Sequence, residues 1–292
     1  MMASLLSPHT IAKLKRMRWK SPTSLGSMHQ GTRRSKTIGS SQEFSDYRTY
    51  EAGDDVRQID WNVYARTEKV YIKRFLDERE LTITILLDSS LSMWAYLKKW
   101  ERAKQLTGAL SALSLYAGDR LSLVISNHRI DPLLSKKGPH QVAKFLGQID
   151  NIVQDDTDKE PFSTRNKERY SPQSDVTIII SDGLEPISNI DETLTRIQSR
   201  RTHVYYIQLL HEEELSPPYT GDLKLLDIET RSISEVSMQR KVIAQYKTRL
   251  EEHLSAIESL CRKKGIPYIQ VNTRQAIEEI LFQQLKPLGW IN

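Results

Sequence analysis

LTITILLDSSLSM, residues 81–93, is the stretch on which the fold turns. Its first seven residues are aliphatic or β-branched, the composition of a strand buried on both faces. Polarity then switches at Asp88, and Ser89-Ser90-Leu91-Ser92 forms the turn into residues 93–117. There Ala103, Leu106, Leu110 and Leu113 recur at helical spacing as far as Gly118, a C-terminal cap. Working outward, the strand-helix unit repeats. DRLSLVIS (119–126) is a strand, and 139–149 a helix around Val142, Phe145, Leu146 and Ile149. The polar stretch 154–174 reads as a surface loop or a poor helix. DVTIIIS (175–181) is a central strand, 189–200 a helix, HVYYIQLL (203–210) a strand, and a turn-rich excursion runs to about 230. Val242, Tyr246, Leu250, Leu254, Ile257 and Cys261 mark a long helix closed by Gly265. Pro267 opens the short strand YIQV, which suits an edge or a strand start, and a last helix covers 273–285. This alternation predicts an α/β fold over 81–292, a doubly wound, mostly parallel sheet of Rossmann type whose ligand crevice lies beyond the carboxyl ends of its strands.

Candidate chemistry sits at those ends. Asp88 leaves the first strand, with Ser90 and Ser92 two residues apart in the turn, and the strand DVTIIIS also ends in an aspartate, Asp182, followed by Gly183. In a parallel sheet both aspartates reach the same edge. Carboxylates and hydroxyls are hard oxygen ligands, suited to Mg²⁺ or Mn²⁺. Taken alone, Ser and Asp at such turns also serve as helix N-caps.

Residues 31–80 do not follow the alternation. Their turn signals, aromatics, paired charges and a strand at Val70–Leu76 predict a β-rich attachment. Residues 1–42 hold eight Lys/Arg and no acid, which leaves the rest of the chain at −3 although the whole carries +5. We read 1–30 as a basic arm, separable from folding, with one short helix begun by Ser7-Pro8. Such an arm tracks nucleic acid or an anionic membrane surface, or is simply solvated. No apolar run approaches the ~18 residues of a spanning helix. The N-terminus has its charges after its apolar residues, unlike a secretory signal. The single cysteine, Cys261, fits a reducing compartment, so the expected location is the cytoplasm. Phosphate-loop, dinucleotide-binding, zinc-protease and serine-hydrolase motifs are all missing, and the seven histidines are scattered.

D-x-S-x-S at a strand end resembles the metal-ion-dependent adhesion site of the von Willebrand factor A fold. The resemblance implies a metal set of Asp88, Ser90, Ser92 and Asp182, with Thr157 as the loop threonine and Thr164 as its competitor. It also implies a position left for a partner's carboxylate. The attachment is similar to the bacterial family called domain of unknown function fifty-eight. Its EF-x-x-[YR]-R-x-Y-x-x-GDD-x-R-x-IDW-x-x-x-AR block is matched by Glu43, Phe44, Arg48, Tyr50, Gly53, Asp54, Asp55, Arg57, Ile59, Asp60, Trp61, Ala65 and Arg66. The similarity runs on through GDLKLLDIET (221–230) and CRKKGIPYIQVNT (261–273). Within the block, Arg48, Arg57 and Arg66 offer forked donors to Asp54, Asp55 and Asp60. They either lock the attachment in place, with Trp61 buried, or present a recognition surface.

The expected function is therefore a non-enzymatic, divalent-metal-dependent interaction module. A partner of the MoxR-type AAA+ ATPase class is what the resemblance implies. A metal-dependent hydrolase and nucleic-acid binding through the basic arm are the alternatives.

Overall fold

The computed structural model describes residues 5–20, 43–51, 54, 56–76, 80–126, 132–153, 162–163, 174–226 and 232–292. Asp55, Thr157 and Thr164 lie outside them. Two compact units emerge, Ser27–Glu80 and, by itself, Met1–Gly26 together with Leu81–Asn292.

In chain order the strands are β1 Glu43–Thr49, β2 Tyr71–Leu76, β3 Thr82–Leu87, β4 Arg120–Ile125, β5 Leu133–Lys137, β6 Val176–Ser181, β7 His203–Leu210, β8 Gly221–Leu226, β9 Ile233–Met238 and β10 Tyr268–Asn272. The helices are α1 Pro8–Leu14, α2 Trp61–Thr67, α3 Leu91–Trp94, α4 Leu97–Ala117, α5 Val142–Asp150, α6 Ile187–Gln198, α7 Glu212–Leu215 and α8 Arg240–Lys263. A helical turn at Ile277–Glu279 and a π-helical stretch at Ile280–Leu285 close the chain.

Six of the described strands form one sheet in the order β10-β7-β6-β3-β4-β5, parallel except for β5. From β3 the chain first moves to β4 on one side and later to β6 on the other. The order therefore reverses at β3, and the crevice of such a sheet opens at that reversal. Alternate side chains feed two cores, as the two-residue period of a strand requires. Ile83, Ile85 and Leu87 pack with Leu106, Leu110 and Leu113 of α4 and Phe145 of α5. On the opposite face Leu86, Val124 and Ile179 meet Leu194 of α6 and Ile257 and Cys261 of α8. Gly118 ends α4 with φ +83, the left-handed cap that glycine adopts at little cost.

Several expectations need correction. Residues 5–20 belong to the sheet unit: Leu6, Leu14, Met17 and Trp19 are buried in the α4-side core. The separable arm therefore fails over this span, because its few apolar residues fall on one stripe that covers exposed core. The sequence pattern marks neither strand β5 nor β9, and it gives the span of β8 only as part of a turn-rich excursion. They are short, largely exposed antiparallel pairs, and Lys136 and Lys137 on β5 keep that edge solvated. The last helix starts at Ile277, four residues later than its pattern suggests.

The smaller unit pairs β1 with β2 antiparallel and adds α2. Beside its strands it contains the short helix α2, which the sequence pattern does not mark. Asp60 caps that helix by accepting from the backbone N–H groups of Asn62 and Val63. Trp61, expected to be buried, is 62% exposed and sits edge-on to Tyr64. Among the described residues no helix is long and apolar enough to cross a membrane.

Candidate functional site

Two adjacent strands deliver the site. The backbone N–H of Asp88, just past β3, donates to Ile180 O on β6, so Asp88 and Asp182 leave neighbouring strands at the same edge, beside the point of reversal. Both are buried. Ser90 and Ser92 follow in the turn after Asp88, so all four residues belong to the carboxyl ends of β3 and β6.

Each carboxylate is oriented locally. Asp88 Oδ1 accepts from Ser90 N at 2.8 Å, and its Oδ2 accepts from Ser181 Oγ at 2.7 Å. Burial and the nearby charge of Asp182 together push the Asp88 carboxyl up to about 7. Ser90 Oγ and Ser92 Oγ are hydrogen-bonded to each other at 3.0 Å. Adjacent vertices of an octahedron with ~2.0–2.1 Å ligand bonds are about 2.9 Å apart, so the two hydroxyls are spaced as neighbouring ligands of a small hard cation. Among the described residues no three His, Cys, Asp or Glu side chains are grouped to hold a metal. The donor set is instead a hydroxyl pair flanked by carboxylates. If this set takes a divalent ion, Ser90 and Ser92 are its direct ligands and Asp88 the buried anion that balances its charge.

Asp182 has a different partner. Lys99, on the first turn of α4, is fully buried, and its ammonium lies 2.8 Å from Asp182 Oδ2, 2.7 Å from Glu214 Oε1 and 3.2 Å from Ser92 O. Burial alone would lower the Lys99 ammonium, but the two carboxylates hold it above its ordinary value. Removing one member of such a buried set costs about 3–5 kcal/mol, since a charge is left unpaired in a dry interior. Glu214 reaches the site from α7, where His211 caps the helix and Glu214 Oε2 accepts from His211 N. Burial lowers the His211 pKa, in keeping with a neutral ring whose Nδ1 accepts from Glu213 N. Its ring stacks on Tyr96 at 4.1 Å.

The turn after β6 is pinned from several directions. Gln208 Nε2 donates to Asp182 O at 2.7 Å, and His253 Nε2 donates to Gly183 O at 2.7 Å. Gly183 has φ +64, and a Cβ there would fall 2.7 Å from Tyr206 Oη, so both backbone conformation and space require glycine. Lys99, Glu214, Gln208 and His253 escaped the sequence reading. None sits in a motif, but two local hints exist: Gln208 lies inside the apolar run HVYYIQLL, and Lys99 falls one turn before Ala103 on the apolar stripe of α4.

In the smaller unit Arg48 pairs with Asp54 at 2.5 Å and with Glu51 at 3.3 Å. The Asp54 carboxyl is held below its ordinary value by the Glu51 backbone N–H and by Arg48. Arg66 is exposed, and its Nε donates to Asn62 O within α2. Arg57 is exposed, and Asp60 serves as helix cap and accepts from Tyr47 Oη. Arg48, Asp54, Asp60 and Arg66 thus have partners inside their own unit.

Sheet order, strand-end carboxylates and the attached hairpin define an α/β protein with a polar cluster at a topological switch point. The chain belongs to the family described as "Protein of unknown function DUF58", which matches residues 46–256. It is 26% identical over 245 residues to the uncharacterized protein Rv1480 of Mycobacterium tuberculosis strain H37Rv, covering 80% of this chain and 76% of that one. The uncharacterized protein Mb1516 of Mycobacterium bovis matches to the same extent. Among solved structures, the conserved hypothetical protein BatB from Bacteroides thetaiotaomicron is similar with a TM-score of 0.39 and 15% identity, over 72% of this chain and 98% of that one. An aerotolerance-related membrane protein from Bacteroides fragilis gives a TM-score of 0.35 and 14% identity, over 71% of this chain and 99% of that one.

Proposed function

We propose that this protein is a non-enzymatic, divalent-metal-dependent interaction module of von Willebrand factor A-like type, which works in the cytoplasm as an accessory of a MoxR-type AAA+ ATPase. The observation that carries the reading is the Ser90–Ser92 hydroxyl pair, 3.0 Å apart at the sheet's switch point and flanked by Asp88 and Asp182. Mg²⁺ or Mn²⁺ at such a pair supplies a hard Lewis-acid position that a partner's carboxylate can complete. Asp88 balances the charge and orients the turn through Ser90 N and Ser181 Oγ. Asp182 sets the second wall of the site. The ATP-driven step belongs to the partner, since this sequence carries no phosphate loop.

The test is co-purification of the full chain with a MoxR-type ATPase of the same cell, in Mg²⁺ and in EDTA, for the wild type and Ser90→Ala. Association is expected to fall at least tenfold on chelation and in the variant. Undiminished association in EDTA by both proteins would remove the metal from the interface.

A further inference from the structure

We infer that Lys99 is a tethered counter-cation that competes with the divalent ion: its ammonium holds Asp182 and keeps the metal affinity of the Ser90–Ser92 pair low. The inference rests on the metal-site reading above and adds what regulates the site. Lys99 Nζ is bonded to Asp182 Oδ2, Glu214 Oε1 and Ser92 O, and its side chain has no solvent exposure. Three features give it this role. The ammonium binds the backbone carbonyl of Ser92, the same residue whose hydroxyl forms half of the candidate ligand pair. It takes an oxygen of Asp182 that would otherwise face an ion held there, and the other oxygen of Asp182 accepts from Leu184 N at 3.2 Å. Its second carboxylate, Glu214, comes from α7, which opens the excursion carrying β8 and β9. The positive charge is thus shared between the site and the base of that excursion. In a buried, low-dielectric setting a like charge this close to a divalent ion weakens its binding by on the order of tenfold or more.

The experiment measures Mn²⁺ binding to the full chain by titration calorimetry and by electron paramagnetic resonance of free Mn²⁺. Wild type, Lys99→Met, Lys99→Arg and Lys99→Met/Ser90→Ala are compared. Lys99→Met is expected to bind Mn²⁺ at least tenfold more tightly than the wild type, while Lys99→Arg, which keeps the charge, stays close to it. The gain should vanish when Ser90→Ala is added. If Lys99→Met fails to fold, Lys99→Met/Glu214→Gln replaces it, because this pair removes the cation together with one of the carboxylates left unpaired. Measurable wild-type binding that is unchanged in Lys99→Met would overturn the counter-cation role and leave the metal reading intact. No Mn²⁺ binding by any folded variant would overturn both. A gain that survives Ser90→Ala would place the ion on the freed Asp182–Glu214 pair and also overturn the inference.

Discussion

The indole Nε1 of Trp19 donates to Ser114 Oγ at 2.8 Å, joining the N-terminal segment to the last turn of α4 across 95 positions of sequence. Ser114 Oγ donates onward to Leu110 O, and the Trp19 ring lies against Tyr205. The segment also meets the C-terminus: Lys20 N donates to Trp290 O, and Asn292 N to Arg18 O. Trp19→Ala is expected to cost about 3–5 kcal/mol, the usual range for removing a buried aromatic. Deleting residues 1–20 should lower Tm by on the order of 10 °C or more. Thermal and urea denaturation of both proteins checks this, and a shift of a degree or two would show the segment to be dispensable.

Gly183→Ala should be destabilising for two separable reasons. The positive φ costs an alanine about 1–2 kcal/mol, and the new Cβ meets Tyr206 Oη at 2.7 Å. Only the second part can be relieved by Tyr206→Phe. A double-mutant cycle should therefore give a double variant more stable than the sum of the single costs predicts. Strict additivity would mean that the loop moves away from Tyr206.

The Thr10 hydroxyl donates to Glu278 Oε1, tying α1 to the turn near the C-terminus, and this hydrogen bond holds the Glu278 carboxyl below its ordinary value of 4.5. A carboxyl with a lowered folded pKa contributes stability that is present above the unfolded value and lost as pH falls through the folded one. The stability gap between wild type and Thr10→Val should thus be full near neutrality and shrink between about pH 5 and about pH 3. Denaturant melts across that range measure it. A gap that does not change with pH would assign the effect to packing.

Cys261 is fully buried beneath α6, and burial pushes its thiol up to about 12. The reactive thiolate is therefore scarce and inaccessible in the folded protein. Native protein at pH 8 should resist a disulfide reagent and titrate one thiol after denaturation, with the native rate following global opening. Rapid modification of the native chain would mean that α8 detaches locally from the sheet.

Much of the sheet unit is legible from local pattern. The run of residues 203–210 becomes β7 with the same limits, Gly118 ends α4, and β10 begins directly after Pro267 and lies at an edge of the sheet. Asp88 and Asp182 could be paired in advance because parallel strands bring their carboxyl ends to one edge. Strand β5 and the β8-β9 hairpin escaped: they are held by backbone pairing at the surface, and their apolar residues are largely exposed and do not mark a core face.

What sequence alone determined is the alternation of the parallel strands with their covering helices and the edge at which the strand-end carboxylates gather, since a period of two or 3.6 residues is a local property of the chain. Tertiary structure decided which charges are buried. In LKKWERAK helical spacing puts Lys99, not Lys98, one turn before Ala103 on the buried stripe of α4, yet the pattern does not say what would neutralise a lysine enclosed there. The carboxylates that pay for enclosing Lys99 stand 83 and 115 residues away. Likewise Trp19 in a basic arm is buried, while Trp61 in an aromatic-rich block is exposed. Burial of a polar or aromatic group depends on what the rest of the chain places opposite it, and that pairing forms only when distant segments pack together.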